Sequence, residues 1–142
     1  ASLVGSEMCI RDRILLKEEG LDQVFARHRQ LAEATRKAVQ GWNLEMNALH
    51  SQEFSDSLTA VRMPEGHDAD QFRKVVLENF NVSLGNGLGK IKGKVFRIGH
   101  LGDFNAPMLL GTLGAIEMGL ELAGVPFKPE GVRAAMDELV KN

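Results

Sequence analysis

The sequence has 142 residues, of which 44% are hydrophobic and 25% are charged, and its formal net charge is -2 at neutral pH. This length and composition are typical of one soluble globular domain with a single core. The near-neutral charge excludes a general attraction to nucleic acid or anionic membranes, and no apolar run reaches the ~18 to 20 residues of a membrane-spanning helix.

The amino-terminal residues form a segment of their own. The stretch SLVGSEMCIRDR, residues 2–13, resembles the translation of a transposase adapter used to prepare DNA sequencing libraries. It lacks the basic start and the long apolar centre of a signal peptide. We therefore predict that residues 1–13 are not native, and that Leu3, Val4 and Ile10 contribute no packing to the core.

The only cysteine of the chain, Cys9, lies in this segment. Residues 14–142 therefore contain no thiol for a disulfide, a metal ion or nucleophilic catalysis. Because a protein without disulfides fits a reducing compartment, we expect a cytoplasmic location.

Helices are predicted at the start of this native portion. The stretch ILLKEEG ends at Gly20, a residue that suits a helix terminus. After it, apolar residues recur at helical spacing up to Gly41. These residues are Leu21, Val24, Phe25, Leu31, Ala32, Ala38, Val39 and Trp42.

The middle of the chain predicts a strand and then a helix. Side chains alternate in SLTAVR, residues 57–62, ahead of a turn at residues 64–66. In the helix that follows, Asp68 and Gln71 have the spacing of a capping box. Its apolar stripe consists of Phe72, Val75, Val76 and Phe80.

A hairpin is predicted in NVSLGNGLGKIKGKVFRIGH, residues 81–100. Its glycines and lysines invite comparison with a phosphate-binding loop. The spacing departs from a P-loop, however, because Leu84 stands in place of the first glycine and Ile91 follows Lys90. A bent hairpin loop is the preferred interpretation.

Two helices complete the predicted layout. In residues 105–124, Asn105 suits the N-cap and Pro107 the first turn. Small residues recur every fourth position in this helix, which would let another backbone approach closely: Gly111, Ala115, Gly119 and Ala123. The last helix should turn Val132, Met136, Leu139 and Val140 inward. The order of elements predicts an α+β fold, with a small, mostly antiparallel sheet covered by helices.

The four histidines are scattered and lack the spacing of a helical metal site, so no metal ion is expected. His28 lies on the apolar side of its helix and is interpreted as a core residue. His100 follows Gly99 and could either line a pocket or serve a capping or turn role.

Arg97 is the residue most suggestive of function, because its charge must be balanced on an otherwise apolar strand. Taken alone, it is better interpreted as one side of a structural ion pair with a carboxylate than as a ligand site. Its surroundings, GKVFRIGHLGDFN in residues 93–105, resemble the small domain of class V aminotransferases, specifically the serine–glyoxylate and alanine–glyoxylate enzymes. Similar stretches occur in the same order at residues 18–39, 57–76, 81–89 and 109–124.

The resemblance implies the C-terminal small domain of a fold-type I enzyme, with Arg97 gripping the substrate α-carboxylate and Gly87, Gly89 and His100 as pocket-lining candidates. A ligand-binding Arg97 should lie near the end of its strand with its guanidinium free. The family uses pyridoxal phosphate, serine or alanine as amino donor, glyoxylate as acceptor, and a homodimeric assembly. The Schiff-base lysine and the phosphate-binding residues belong to a larger preceding domain, so this fragment should be inactive alone.

Two other functional classes stay open from the residues themselves. One is a free-standing α+β module whose Arg97 binds a small carboxylate. The other is a nucleic-acid binder using the lysines of residues 90–94, which the net charge disfavours. We expect neither nucleic acid nor a membrane as partner.

Overall fold

The computed structural model describes residues 2–48 and 50–141, with side chains from residue 7 onward, and these form five α-helices and a four-stranded antiparallel sheet. The helices are α1 (Ser2–Glu19), α2 (Leu21–Gly41), α3 (Ala69–Phe80), α4 (Ala106–Leu122) and α5 (Gly131–Leu139). The strands are β1 (Glu45–Met46), β2 (Leu58–Arg62), β3 (Gly85–Asn86) and β4 (Val95–Gly99). The predicted α+β fold is confirmed.

The sheet has the order β1-β2-β4-β3, and every neighbouring pair is antiparallel. Val61, Phe96 and Ile98 point to one face and are completely buried against the helices. The opposite face carries Ala60 and Arg97, which are only half-buried. The alternation predicted for β2 and β4 therefore holds at these positions, although Val95, on the same face as Arg97, is also completely buried.

Two short strands differ from the sequence-based expectation. The pairing of β1 with β2 was not predicted, because two residues carry no recognisable alternation. The first strand of the hairpin is confined to Gly85–Asn86, and residues 82–84 precede it without strand structure. The predicted antiparallel hairpin itself is confirmed by the pairing of β3 with β4.

Helix α2 provides much of the core, and its C-cap residue, Trp42, is completely buried. The Trp42 indole N–H donates a hydrogen bond of 2.7 Å to Oε2 of Glu117 in α4. Helix α5 packs closely against this end of α2, because a Cβ at Gly131 would overlap the Trp42 ring. The predicted apolar face of α2 is buried except at Leu21 and Phe25, which are exposed.

Side-chain N-caps begin α3 and α4, at the two residues that the sequence indicated, although the Gln71 side chain does not complete the capping box of α3. Asp68 accepts hydrogen bonds from the backbone N–H groups of Asp70 and Gln71, at 2.8 and 2.9 Å. Asn105 accepts one from Met108 at 2.9 Å. Both caps satisfy N–H groups that have no partner within the helix.

The small-residue stripe of α4 is packed over only part of its length. A Cβ at Gly119 would lie 2.5 Å from Val76 Cγ2, so α3 and α4 are in close contact there. Ala115 is also buried, whereas Gly111 faces open space. In α5, Val140 was predicted to point inward but is 76% exposed, because the helix ends at Leu139.

Helix α1 extends through the adapter-like segment as far as Glu19, and the predicted helix end at Gly20 is confirmed. Its side chains are exposed from Glu7 to Glu19, and Ile10 is 58% exposed, as predicted. The side chains of Leu3 and Val4 lie outside the described residues. Within the described ranges, no helix combines the length and apolarity needed to cross a membrane.

Candidate carboxylate-binding site

Arg97 is the middle residue of β4, so the prediction that it lies near the end of its strand is wrong. The strand continues to Gly99 because Leu58 of β2 pairs with that residue. On either side of Arg97, the paired residues are Ala60 in β2 and Gly85 in β3. Arg97 therefore lies in the sheet between two residues with small side chains.

No hydrogen bond or ion pair of the Arg97 guanidinium occurs among residues 2–48 and 50–141. Its Nε is buried and has no hydrogen-bond partner. Arg73 shows the contrasting arrangement, since its Nε donates to Leu84 O at 2.8 Å and its Nη1 to Asp70 Oδ1 at 3.1 Å. The fold thus neutralises Arg73 internally and leaves Arg97 without an internal partner.

An unsatisfied buried donor costs about 1–3 kcal/mol, and more when the group is charged. The terminal nitrogens of the same guanidinium can bind a carboxylate or phosphate through two parallel hydrogen bonds. The arrangement at Arg97 is therefore chemically suited to an anionic ligand that approaches the half-buried face of the sheet.

The glycines at 87 and 89 shape the hairpin loop beside this site. Gly87 is buried, and a Cβ there would overlap the carbonyl oxygen of Ile91. Gly89 has a φ of 56°, in the left-handed region that favours glycine, and begins a short 3₁₀ turn. Their pocket-lining role stays a prediction, because the close contact at Gly87 and the positive φ of Gly89 explain both glycines structurally.

His100 is completely buried and holds two loops together. Its Nδ1 donates to Asp56 O at 3.1 Å, and its Nε2 accepts from the Thr59 hydroxyl at 3.0 Å. Burial lowers the pKa of His100 to about 4, so the ring is neutral at neutral pH. These contacts favour the structural role that the sequence left open for His100 over the pocket-lining role.

The loop that follows β4 is attached to α2 by two adjacent residues. Arg27 Nη1 donates to Gly102 O and Phe104 O at 2.7 and 3.0 Å. His28, which is buried as predicted, accepts from Gly102 N at 3.0 Å and donates to Val24 O at 2.7 Å. Arg27 also forms an ion pair with Glu19, at 2.7 Å from Nε to Oε1. The sequence contained no signal for the attachment of the loop, because the two carbonyl groups that Arg27 binds there are more than 70 residues away.

One large groove on the surface lies apart from Arg97. A groove of about 700 Å³ is lined by residues 43–45, 62–67 and Lys94. Arg97 is not among its lining residues. Within the described part of the chain, no group of three or more His, Cys, Asp or Glu side chains is placed to hold a metal ion.

Comparison with known proteins identifies close relatives. No protein-family model matches the sequence. Over 129 residues, the chain is 45% identical to a serine–glyoxylate aminotransferase of Hyphomicrobium methylovorum, covering 90% of this chain and 32% of that protein. It is 42% identical over 127 residues to an L-aspartate–glyoxylate aminotransferase of Paracoccus denitrificans (strain Pd 1222), covering 89% and 32%.

Solved structures have the same fold. Ureidoglycine–glyoxylate aminotransferase from Bacillus subtilis superposes with a TM-score of 0.83 at 26% identity, covering 89% of this chain and 33% of that one. Pyridoxamine–pyruvate aminotransferase from Mesorhizobium loti gives 0.82 at 31% identity, covering 88% and 32%. The chain spans about a third of the length of these relatives. It belongs to the class V aminotransferases and corresponds to the C-terminal small domain of these fold-type I enzymes.

Proposed function

We propose that the full-length protein is a pyridoxal-phosphate-dependent aminotransferase that transfers an amino group from serine or alanine to glyoxylate and forms glycine. Within this chain, Arg97 binds the substrate carboxylate. The observation that carries the proposal is the guanidinium of Arg97, which has no hydrogen bond or ion pair among the described residues of a chain related to glyoxylate aminotransferases.

The task of Arg97 follows from the shape of its side chain. Two charge-assisted hydrogen bonds, each worth about 1.5–3 kcal/mol, hold a carboxylate in one plane and one orientation. Holding the carboxylate in this way fixes the direction of the bonds at the neighbouring carbon. Because the amino donor and glyoxylate both carry a carboxylate, one residue serves both halves of the reaction.

The residues of this chain fit the substrate rather than the cofactor. Lys90, Lys92 and Lys94 are exposed on the hairpin and do not form an enclosed site for a phosphate or a covalent bond to pyridoxal. We therefore expect the cofactor to bind in the preceding, larger domain, where it supplies an electron sink for charge developing at the substrate carbon. This chain alone should be inactive, and the complete protein is expected to be a cytoplasmic homodimer.

The test uses the full-length protein of the source organism with an Arg97→Lys substitution. Lysine keeps the charge but loses the planar fork. We expect kcat/KM to fall roughly 100-fold for both the amino donor and glyoxylate, because one charge-assisted hydrogen bond is lost. The absorbance of the bound cofactor should not change.

A matched control is Arg62→Lys on the adjacent strand. Arg62 lies on the same face of the sheet and has an internal partner, since Nη2 donates to Asn47 Oδ1 at 3.0 Å. Its substitution should leave the kinetics near those of the wild type. If Arg97→Lys were equally harmless, the assignment of Arg97 to the substrate would be wrong. Comparing serine, alanine and aspartate as donors in the wild type would identify the preferred amino acid.

A further inference from the structure

Gly85 lies directly beside Arg97 across the β3–β4 pair. We propose that Gly85 is a positioning residue for carboxylate binding: the bare backbone at Gly85 lets the Arg97 side chain extend over β3 and hold its terminal nitrogens toward the substrate. This inference rests on the proposed function and deepens it. It assigns a task to a residue that contacts the substrate only through Arg97.

The space at Gly85 is occupied by Arg97. A Cβ added to Gly85 would lie 3.1 Å from Arg97 Cβ and 3.2 Å from Arg97 Nε, closer than ordinary van der Waals contact. Even a methyl group would therefore displace the stem of the arginine by a few tenths of an ångström.

Backbone geometry does not explain the glycine. Gly85 is not among the glycines of this chain with positive φ, so its conformation is available to any residue. A glycine within a strand also weakens the strand, since it provides no side chain for cross-strand packing. What remains specific to glycine at this position is the room that it leaves for Arg97.

The buried Nε determines which atoms of Arg97 face a ligand. Nε has almost no accessible surface, whereas the two terminal nitrogens are not among the buried atoms that lack a partner. A carboxylate therefore reaches Nη1 and Nη2, at the end of the fork, rather than Nε at its side. The direction of that end depends on how the stem lies against β3.

The proposal predicts opposite effects on binding and on stability. Gly85→Ala shifts the arginine slightly, and Gly85→Val shifts it further. The affinity for a carboxylate should fall about 10-fold for alanine, as expected when one charge-assisted hydrogen bond is weakened. It should fall roughly 100-fold for valine, the effect expected of a displacement near 1 Å. The unfolding midpoint should stay equal or rise, because both residues favour strands more than glycine does.

The experiment measures propionate binding to the full-length holoenzyme by calorimetry, with uncharged propionamide as the ligand control. Gly99→Ala is the matched variant, because it adds the same methyl group to the strand of Arg97 in open space. Gly85→Ala and Gly85→Val should weaken propionate binding and raise KM for both substrates by the same factor. Binding of propionamide, the absorbance of the cofactor and the affinity of Gly99→Ala for propionate should not change.

Two outcomes would overturn the inference. One is unchanged propionate affinity in Gly85→Ala. The other is a loss of affinity accompanied by an equal loss of stability, which would make Gly85 a purely structural glycine. Arg97→Lys in the same assay separates the two proposals. If Arg97→Lys binds propionate normally, the proposed function is wrong. If Arg97→Lys loses binding while the Gly85 variants keep it, only the proposed role of Gly85 is wrong.

Discussion

Replacing Gly119 with alanine tests whether α3 and α4 are in backbone-level contact. The added Cβ would lie 2.5 Å from Val76 Cγ2 and 3.3 Å from Phe72 Cε2. Favourable carbon–carbon contacts occur at about 3.5–4.0 Å, so Val76 must move by about 1 Å. Val76 is completely buried and β-branched, which leaves it little freedom to rotate.

Two energies oppose each other in Gly119→Ala. Alanine stabilises a helix interior by about 1 kcal/mol relative to glycine. Overpacking of a filled core costs about 1–3 kcal/mol. Gly111→Ala in the same helix should gain the helix stabilisation without the overpacking cost, because nothing lies within 4 Å of its added Cβ. The difference between the two variants, about 1–3 kcal/mol in the free energy of unfolding, therefore isolates the packing cost.

The assay is urea denaturation of the 142-residue chain, followed by the fluorescence of Trp42, its single and completely buried tryptophan. Gly111→Ala should unfold at a higher urea concentration than the wild type, and Gly119→Ala at a lower one than Gly111→Ala. Equal midpoints for the two variants would refute the close contact between α3 and α4.

Three further predictions concern stability. Because burial holds the pKa of His100 at about 4 when folded, against the usual 6.5, the unfolded chain binds this proton more readily. The free energy of unfolding should therefore fall by up to about 3 kcal/mol as the pH is lowered from 7 to 4. In urea titrations, His100→Gln should make the free energy of unfolding depend less on pH. An equal fall in the variant would contradict the role of His100. Glu117→Leu should lower the free energy of unfolding by about 1–3 kcal/mol in the same titration, because Oε2 of Glu117 accepts hydrogen bonds from the Trp42 indole and from Val132 N. Glu117→Gln keeps an oxygen acceptor and should therefore retain most of this stability. Deleting residues 1–13 should leave the unfolding midpoint unchanged, since the side chains described in that segment are exposed; a lower midpoint would mean that the segment packs.

Much of the fold could be predicted because its signals are local. Asp68 and Asn105 begin helices through hydrogen bonds to residues two or three positions away, so the sequence alone reveals them. The alternation of β4 likewise distinguishes its buried face, with Phe96 and Ile98, from the face that carries Arg97. The short strand β1 escaped prediction and the shortness of β3 was not foreseen, because each is two residues long and depends on a partner strand rather than on a pattern of its own.

The contacts that shape the candidate site are long-range, and this is why they could not be predicted. Arg27 and His28 bind backbone groups of the loop after β4, and backbone groups carry no sequence signal. The burial of His100 between β2 and a preceding loop also depends on how distant segments meet.

The sequence by itself determined the residue type at position 97 and the face of the strand on which it lies, because the charge of arginine and the two-residue period of a strand are properties of the chain alone. Only the tertiary structure decided its surroundings. The register of three strands sets Ala60 and Gly85 beside Arg97, and no carboxylate among the described residues comes within ion-pairing distance. Register is selected when the Phe96 and Ile98 face is buried against the helices, an interaction that involves the whole domain.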